Sequence, residues 1–157
     1  MNTKFRQLRE RRQQGDNGFT LIELLVVVVI IGILIAIAIP LYLNYQKGAK
    51  NKSAASDVRN AIAVVEQCYN DGDNAYPAEA FSASAGAAAL IACGTAGSGT
   101  VNASSGNKIS VEPKGTPATG YVIIGVAGSP GDKHYCYDST VGGSVATSAT
   151  ALKGTTC

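Results

Sequence analysis

The sequence predicts an α+β chain: one long N-terminal helix, apolar in its first half, packed on a small antiparallel β-sheet. Three observations carry this. Residues 24–43 are an uncharged aliphatic run, LLVVVVIIGILIAIAIPLYL. Beyond it Val58, Ile62, Val65 and Tyr69 recur at i, i+4, i+7 and i+11, one face of a helix. The last third holds β-branched segments separated by Gly, Pro, Asp and Ser. At 157 residues the chain has room for one globular domain plus an extended segment.

The helix is predicted first. No charge occurs between Glu23 and Lys47, and twenty helical residues span about 30 Å, enough to cross a bilayer core. The charge is unevenly spread. Lys4, Arg6, Arg9, Arg11 and Arg12 stand against Glu10 and Asp16 in residues 1–18, a net +3. Residues 19–157 hold eight basic and nine acidic side chains, a net −1. Basic residues ahead of the apolar run place the N-terminus on the cytoplasmic side. Without them nothing in the charge suggests a nucleic-acid-binding domain. Lys47, Lys50 and Lys52 follow the run as a solvated helix face. Asn70-Asp71-Gly72-Asp73 is a strong stop, so the helix is expected to end near Tyr69, about 51 residues and roughly 75 Å from Phe19. The Val58–Tyr69 stripe is core, with Lys52, Asp57, Arg59 and Glu66 falling elsewhere.

Residues 71–107 read as a loop-like linker, because Leu90, Ile91 and Val101 are the only large aliphatics between Ser82 and Asn107. Strands are then expected at Lys108–Glu112, Tyr121–Ala127, Lys133–Tyr137 and Val141–Ala146. Ser129-Pro130-Gly131-Asp132 is expected to turn the second of these into the third as a hairpin.

Glu23 breaks the membrane pattern. A carboxylate at the edge of an apolar run either sits at the interface or serves a function, and the residue alone leaves both open. Its neighbours decide. Gly18-Phe19-Thr20-Leu21-Ile22-Glu23, followed by the aliphatic run, resembles the prepilin cleavage motif of the type IV pilin family. The resemblance is specific from residue 15 to about 70 and extends to the rest only in general plan. It implies the pilin fold, with a leader peptide at 1–18, a transmembrane or filament-core half-helix at 19–43 and a soluble head domain at 44–157. It implies cleavage by a prepilin peptidase between Gly18 and Phe19 and N-methylation of Phe19. It gives Glu23 an assembly role, pairing with the amine of Phe19 on a neighbouring subunit; each group is unfavourable alone in an apolar setting. Gly32 and Pro40 match family positions where the helix is weak, consistent with the cost of both residues to a helix. The implied partners are copies of the chain in a helical filament, the prepilin peptidase, the inner-membrane assembly platform, the membrane itself before assembly, and DNA through the whole filament. The implied location is the inner membrane as a single-pass precursor, then an extracellular pilus. Ala36-Ile37-Ala38 offers a rival, an ordinary secretory signal cut before Ile39. It leaves the Gly18–Glu23 string unexplained, and the apolar run continues past it to Leu43.

Four cysteines, Cys68, Cys93, Cys136 and Cys157, all follow the apolar run. An even, widely spaced set in a small exported domain reads as two disulfides. A zinc site is disfavoured by the lack of any C-x-x-C pair and by His134 being the sole histidine. Sequence alone allows three pairings. The expected ones are Cys68–Cys93, tying the helix end to the linker, and Cys136–Cys157, which would resemble the C-terminal disulfide loop of many pilins.

No catalytic constellation, cofactor motif or metal-ligand set stands out, so no enzyme, cofactor or metal is expected. His134 reads as a strand residue. Asp71-Gly72-Asp73-Asn74 lacks the glycine and distal glutamate of an EF-hand. Asp132 and Asp138 flank a hairpin and offer a weak calcium reading. Asn51-Lys52-Ser53 and Asn102-Ala103-Ser104 are sequons by pattern only. The expected function is a structural pilus subunit serving adhesion, twitching motility or DNA uptake. The alternatives are a pseudopilin of a type II secretion system and a minor or competence pilin that grips DNA. Direct DNA binding would need a basic, aromatic-bearing patch, and beyond the helix only Lys108, Lys114, Lys133 and Lys153 are available.

Overall fold

A computed structural model describes residues 18–84, 86–128, 132–148 and 157. Residues 1–17 of the expected leader, residues 129–131 of the expected turn and Lys153 lie outside the described residues. The elements run α1 (Leu21–Asp71), β1 (Phe81–Ser84), β2 (Ala88–Cys93), β3 (Gly97–Asn102), β4 (Lys108–Lys114), β5 (Gly120–Val126), β6 (His134–Asp138) and β7 (Ala146–Ser148). A long helix followed by antiparallel strands is the expected α+β plan. Two compact units divide the chain, Met1–Tyr42 and Leu43–Cys157.

In the first unit the described residues are Gly18, Phe19, Thr20 and the start of α1. Its aliphatic side chains from Leu21 to Leu41 are exposed all round. The helix continues through Gly32 and Pro40. This is the one stretch among the described residues long and apolar enough to cross a membrane.

In the second unit α1 is amphipathic. Ala54, Val58, Ala61, Val65 and Cys68 are buried at alternating spacings of three and four residues, one helix face. They pack on a five-stranded sheet of order β1-β4-β5-β6-β7, antiparallel throughout. The central strand β5 is buried along nearly its whole length, as its run of apolar β-branched residues requires. Tyr121 and Ile123 join the core cluster with Val58, Val65, Ile109 and Val111, while Val122, Ile124 and Cys136 form a second cluster. At Gly125 helix and sheet approach closely: a Cβ there would lie 2.4 Å from Val58 Cγ2 and 3.1 Å from the Ala54 carbonyl oxygen.

The linker reading of 71–107 is corrected. Residues 81–84 form an edge strand paired with β4, and β2 and β3 make a hairpin with Cys93 opposite Gly97. The small residues that looked like loop are a packing requirement. A Cβ at Gly97 would sit 2.3 Å from the Cys68 carbonyl oxygen, and one at Gly72 would sit 2.2 Å from the Cys93 carbonyl oxygen. Backbone packs on backbone, and Ile91, Cys93, Val101 and Ala103 supply the buried side chains. The strand expected at Val141–Ala146 is also displaced. Val141 is exposed in the turn after β6, and the strand is Ala146–Ser148. The hairpin of β5 with β6 stands, with Ile124 opposite Cys136.

Candidate functional site: the start of the N-terminal helix

Gly18, Phe19 and Thr20 precede the helix, and all three are exposed. Thr20 and Glu23 close on each other. The backbone N–H of Thr20 donates to Glu23 Oε2 at 2.9 Å, and the Thr20 hydroxyl donates to the same oxygen at 2.8 Å. In return Glu23 N–H donates to Thr20 Oγ1 at 3.3 Å, and Leu24 N–H to the Thr20 carbonyl oxygen at 3.3 Å. This is a capping box. Threonine is the N-cap, and the glutamate three residues on reaches back to the cap's own amide. The carboxylate also stands where helix amides concentrate positive potential. Thr-Leu-Ile-Glu therefore has a local meaning that sequence reading missed, although the pattern Thr-x-x-Glu before an apolar run is its signature.

The geometry leaves Phe19 outside the helix, 80% exposed, with Gly18 before it having nothing near its α-carbon that a side chain would meet. The Gly18-Phe19 peptide bond therefore lies outside the helix, between two exposed residues. Among the described residues of its own unit, the aliphatic side chains that follow are exposed on every face of the helix. A helix apolar on every side is buried in lipid or among other helices.

The remaining singled-out residues lie in the second unit. Disulfides join Cys68 to Cys93 and Cys136 to Cys157, with Cα–Cα separations of 5.6 and 5.7 Å. The first ties the end of α1 to β2. Asp138 is held by Lys114 Nζ at 2.7 Å and by both the amide and the hydroxyl of Thr140, so its oxygens are already engaged. Among the described residues no cluster of His, Cys, Asp or Glu fits a metal ion. His134 is half-buried in β6, between Val126 and Ser148 in the sheet register. Asn51 accepts a hydrogen bond from the Lys133 amide at 3.1 Å, while Asn102 is exposed at the end of β3.

Asp57 requires a correction. It is buried rather than on the solvent face, and it receives Ser104 N–H at 3.0 Å, Ser104 Oγ at 2.7 Å and Asn107 Nδ2 at 2.8 Å. Glu66 likewise turns inward enough to accept the Tyr121 hydroxyl at 2.7 Å. The spacing held a signal for Asp57, since it lies four residues before the buried Ala61.

A family model described as the prokaryotic N-terminal methylation motif matches residues 13–39. The chain is 47% identical over 60 residues to the type IV major fimbrial protein FimA of Dichelobacter nodosus, covering 38% of each chain. It is 46% identical over 68 residues to the type II secretion system core protein G of Pseudomonas aeruginosa, covering 43% of this chain and 46% of that protein. It is 40% identical over 58 residues to the type IV major pilin protein PilA of Myxococcus xanthus, covering 37% and 26%. The match thus spans less than half the length of each of these relatives. No solved structure gives a significant match. A methylation motif ending inside the aliphatic run, an N-terminal part similar to that of type IV pilins, and one long helix on an antiparallel sheet are the features this chain shares with the type IV pilin family.

Proposed function

We propose that the chain is a structural subunit of a type IV pilus. It is made as a single-pass precursor of the inner membrane with its N-terminus in the cytoplasm. A prepilin peptidase removes residues 1–18, cutting between Gly18 and Phe19, and methylates the new amine of Phe19. Residues 19–43 then serve as the membrane and filament-core half of the helix, and residues 44–157 as the head. The inner-membrane assembly platform moves the subunit from lipid into a helical filament of its own copies, which emerges at the cell surface. The observation that carries this reading is a fully apolar, uncovered half-helix that opens on an exposed Gly18-Phe19 bond and a carboxylate at Glu23.

Assembly asks two things of Glu23. Within one chain it caps the helix through Thr20. Within the filament it would meet the Phe19 amine of a neighbour, which places a positive charge beside a negative one out of water. Gly32 and Pro40 are the places where the helix can bend or unwind as the subunit leaves the bilayer. Two substitutions separate cap from charge. Glu23→Gln keeps an acceptor for the Thr20 amide but removes the charge, whereas Glu23→Ala removes both. The proposal expects both variants to be processed and to lose surface filaments. Filaments of Glu23→Gln equal in number to wild type would leave only the capping role and refute the pairing.

A second reading, a pseudopilin of a type II secretion system, is favoured by the likeness to core protein G. It predicts a secretion defect on deletion and no long filaments in the sheared surface fraction. DNA uptake would be a property of the assembled filament. In the head, Lys114 is already paired with Asp138, which thins the basic surface that direct binding would need.

A further inference from the structure

Four tyrosine rings form a continuous ladder through the second unit. Tyr69 at the end of α1 stacks on Tyr76 with ring centroids 4.3 Å apart. Tyr76 meets Tyr121 at 5.4 Å, and Tyr121 meets Tyr137 of β6 at 5.9 Å. Tyr69, Tyr76 and Tyr137 are half-buried, and Tyr121 is fully buried. The ladder therefore has a core rung and outer rungs that touch solvent on both sides of it. Ring packing alone is satisfied by phenylalanine. The buried rung is instead a phenol, and its hydroxyl is given one partner, Glu66 Oε1 at 2.7 Å.

That pair has the parts of a proton-coupled redox site. Oxidising a phenol by one electron makes its proton strongly acidic, so the oxidation is easiest where a base already holds that proton. Burial first, and then the Glu66 carboxylate, push the Tyr121 phenol far above the usual tyrosine range. No phenolate is present to lose an electron by itself, and the proton must move as the electron leaves. We propose that Tyr121 and Glu66 form a radical trap that accepts oxidising equivalents from one-electron oxidants through the tyrosine ladder. The oxidant takes an electron from a half-exposed ring. That ring is refilled from Tyr121 through ring contact, and the Tyr121 proton passes to Glu66. The sum is Tyr121–OH plus Glu66 carboxylate plus oxidant giving the neutral Tyr121 phenoxyl radical, Glu66 carboxylic acid and the singly reduced oxidant. The unpaired electron ends on a ring that no second chain can reach, so the outer tyrosines are spared from coupling between chains.

The test uses the full chain in detergent micelles with tris(bipyridine)ruthenium(III), generated by a light flash, as the one-electron oxidant. Radicals are frozen and read by electron paramagnetic resonance. Wild type is expected to give a trapped radical that outlives those of the exposed Tyr42 and Tyr45. Tyr121→Phe, which keeps the ring, should lose the trapped species. Glu66→Gln, which keeps a hydrogen-bond acceptor but not a base, should lose it as well. A trapped signal unchanged in either variant would overturn the proposal. If near-ultraviolet circular dichroism shows that a variant has not folded, wild type in heavy water decides. A trapped radical coupled to one exchangeable proton, and formed more slowly in deuterated solvent, is the expected result. A radical with no exchangeable coupling overturns the assignment.

Discussion

Replacing Asp57 with alanine should unlatch the segment between β3 and β4 from the helix. The carboxylate is 6% exposed and receives three hydrogen bonds, two from Ser104 and one from Asn107. Hydrogen bonds to a charged group contribute about 1.5–3 kcal/mol each, and a buried donor left without a partner costs about 1–3 kcal/mol. The full sum overshoots for two reasons. Ser104 lies beside a cleft of about 210 Å³ through which water can replace its lost partner. Asn107 keeps Ser53 Oγ at 3.1 Å. The loss is therefore about 3 kcal/mol, dominated by the Asn107 amide, which is 1% exposed. At about 4 °C per kcal/mol for a unit of this size, the melting point should fall by about 12 °C. Asp57→Asn is the control. A carbonyl in the place of Oδ2 still receives both the Ser104 and the Asn107 N–H groups, and the new amide nitrogen in the place of Oδ1 can donate to Ser104 Oγ. That variant should stay within about 1 kcal/mol of wild type. Thermal and urea unfolding of the full chain in micelles, followed by near-ultraviolet circular dichroism, reads both. An Asp57→Ala loss below about 1 kcal/mol, or equal losses in the two variants, would refute the reasoning.

Three further outcomes follow from the second unit. Gly125→Ala pushes a methyl against Val58 Cγ2 and the Ala54 carbonyl oxygen. It should cost about 1–3 kcal/mol, and Val58→Ala on top should cost less than the sum of the two changes, measured as a double-mutant cycle by urea unfolding. Removing the Cys68–Cys93 bridge by double alanine substitution frees a 25-residue separation and should cost about 3.5 kcal/mol in the chain-entropy picture. Burial pushes the Asp138 carboxyl up, but Lys114 and the Thr140 donors outweigh it and hold the group down at about 2, below its ordinary 3.8. A folded-state value below the unfolded one stabilises the fold above pH 4, and that contribution disappears as pH falls towards 2. Acid unfolding of Asp138→Asn should lack this component, while wild type shows it.

The helix, its apolar half and the β5–β6 hairpin were legible because aliphatic periodicity and β-branched runs are direct records of burial. The candidate site was legible as a string, Gly18 to Glu23, but not as geometry: the capping box needs the Thr20 side chain seen against the Glu23 carboxylate. The strands between Phe81 and Asn102 were not legible, because alanine, serine and glycine leave no hydrophobic pattern when a hairpin packs by its backbone. Gly72 and Gly97 are small because the Cys93 and Cys68 carbonyl oxygens leave no space for a side chain. Asp57 misled for the opposite reason. A carboxylate on a helix is expected in solvent, and only the distant Ser104 and Asn107 make its burial favourable. Val141 has the composition of a strand residue, but the turn with Gly142 and Gly143 at positive φ carries it into solvent.

The central claim is that this chain is processed at Gly18 and built into a filament through Phe19 and Glu23. The most direct test is intact-mass and N-terminal analysis of the protein sheared from the surface of cells that make it. The account predicts a chain starting at Phe19, heavier by one methyl group on its amine and lighter by the four hydrogens of two disulfides. A chain starting at Ile39, cut after Ala36-Ile37-Ala38, would contradict it. The helix start would then belong to an ordinary secretory signal, and Glu23 would have no place in the mature protein.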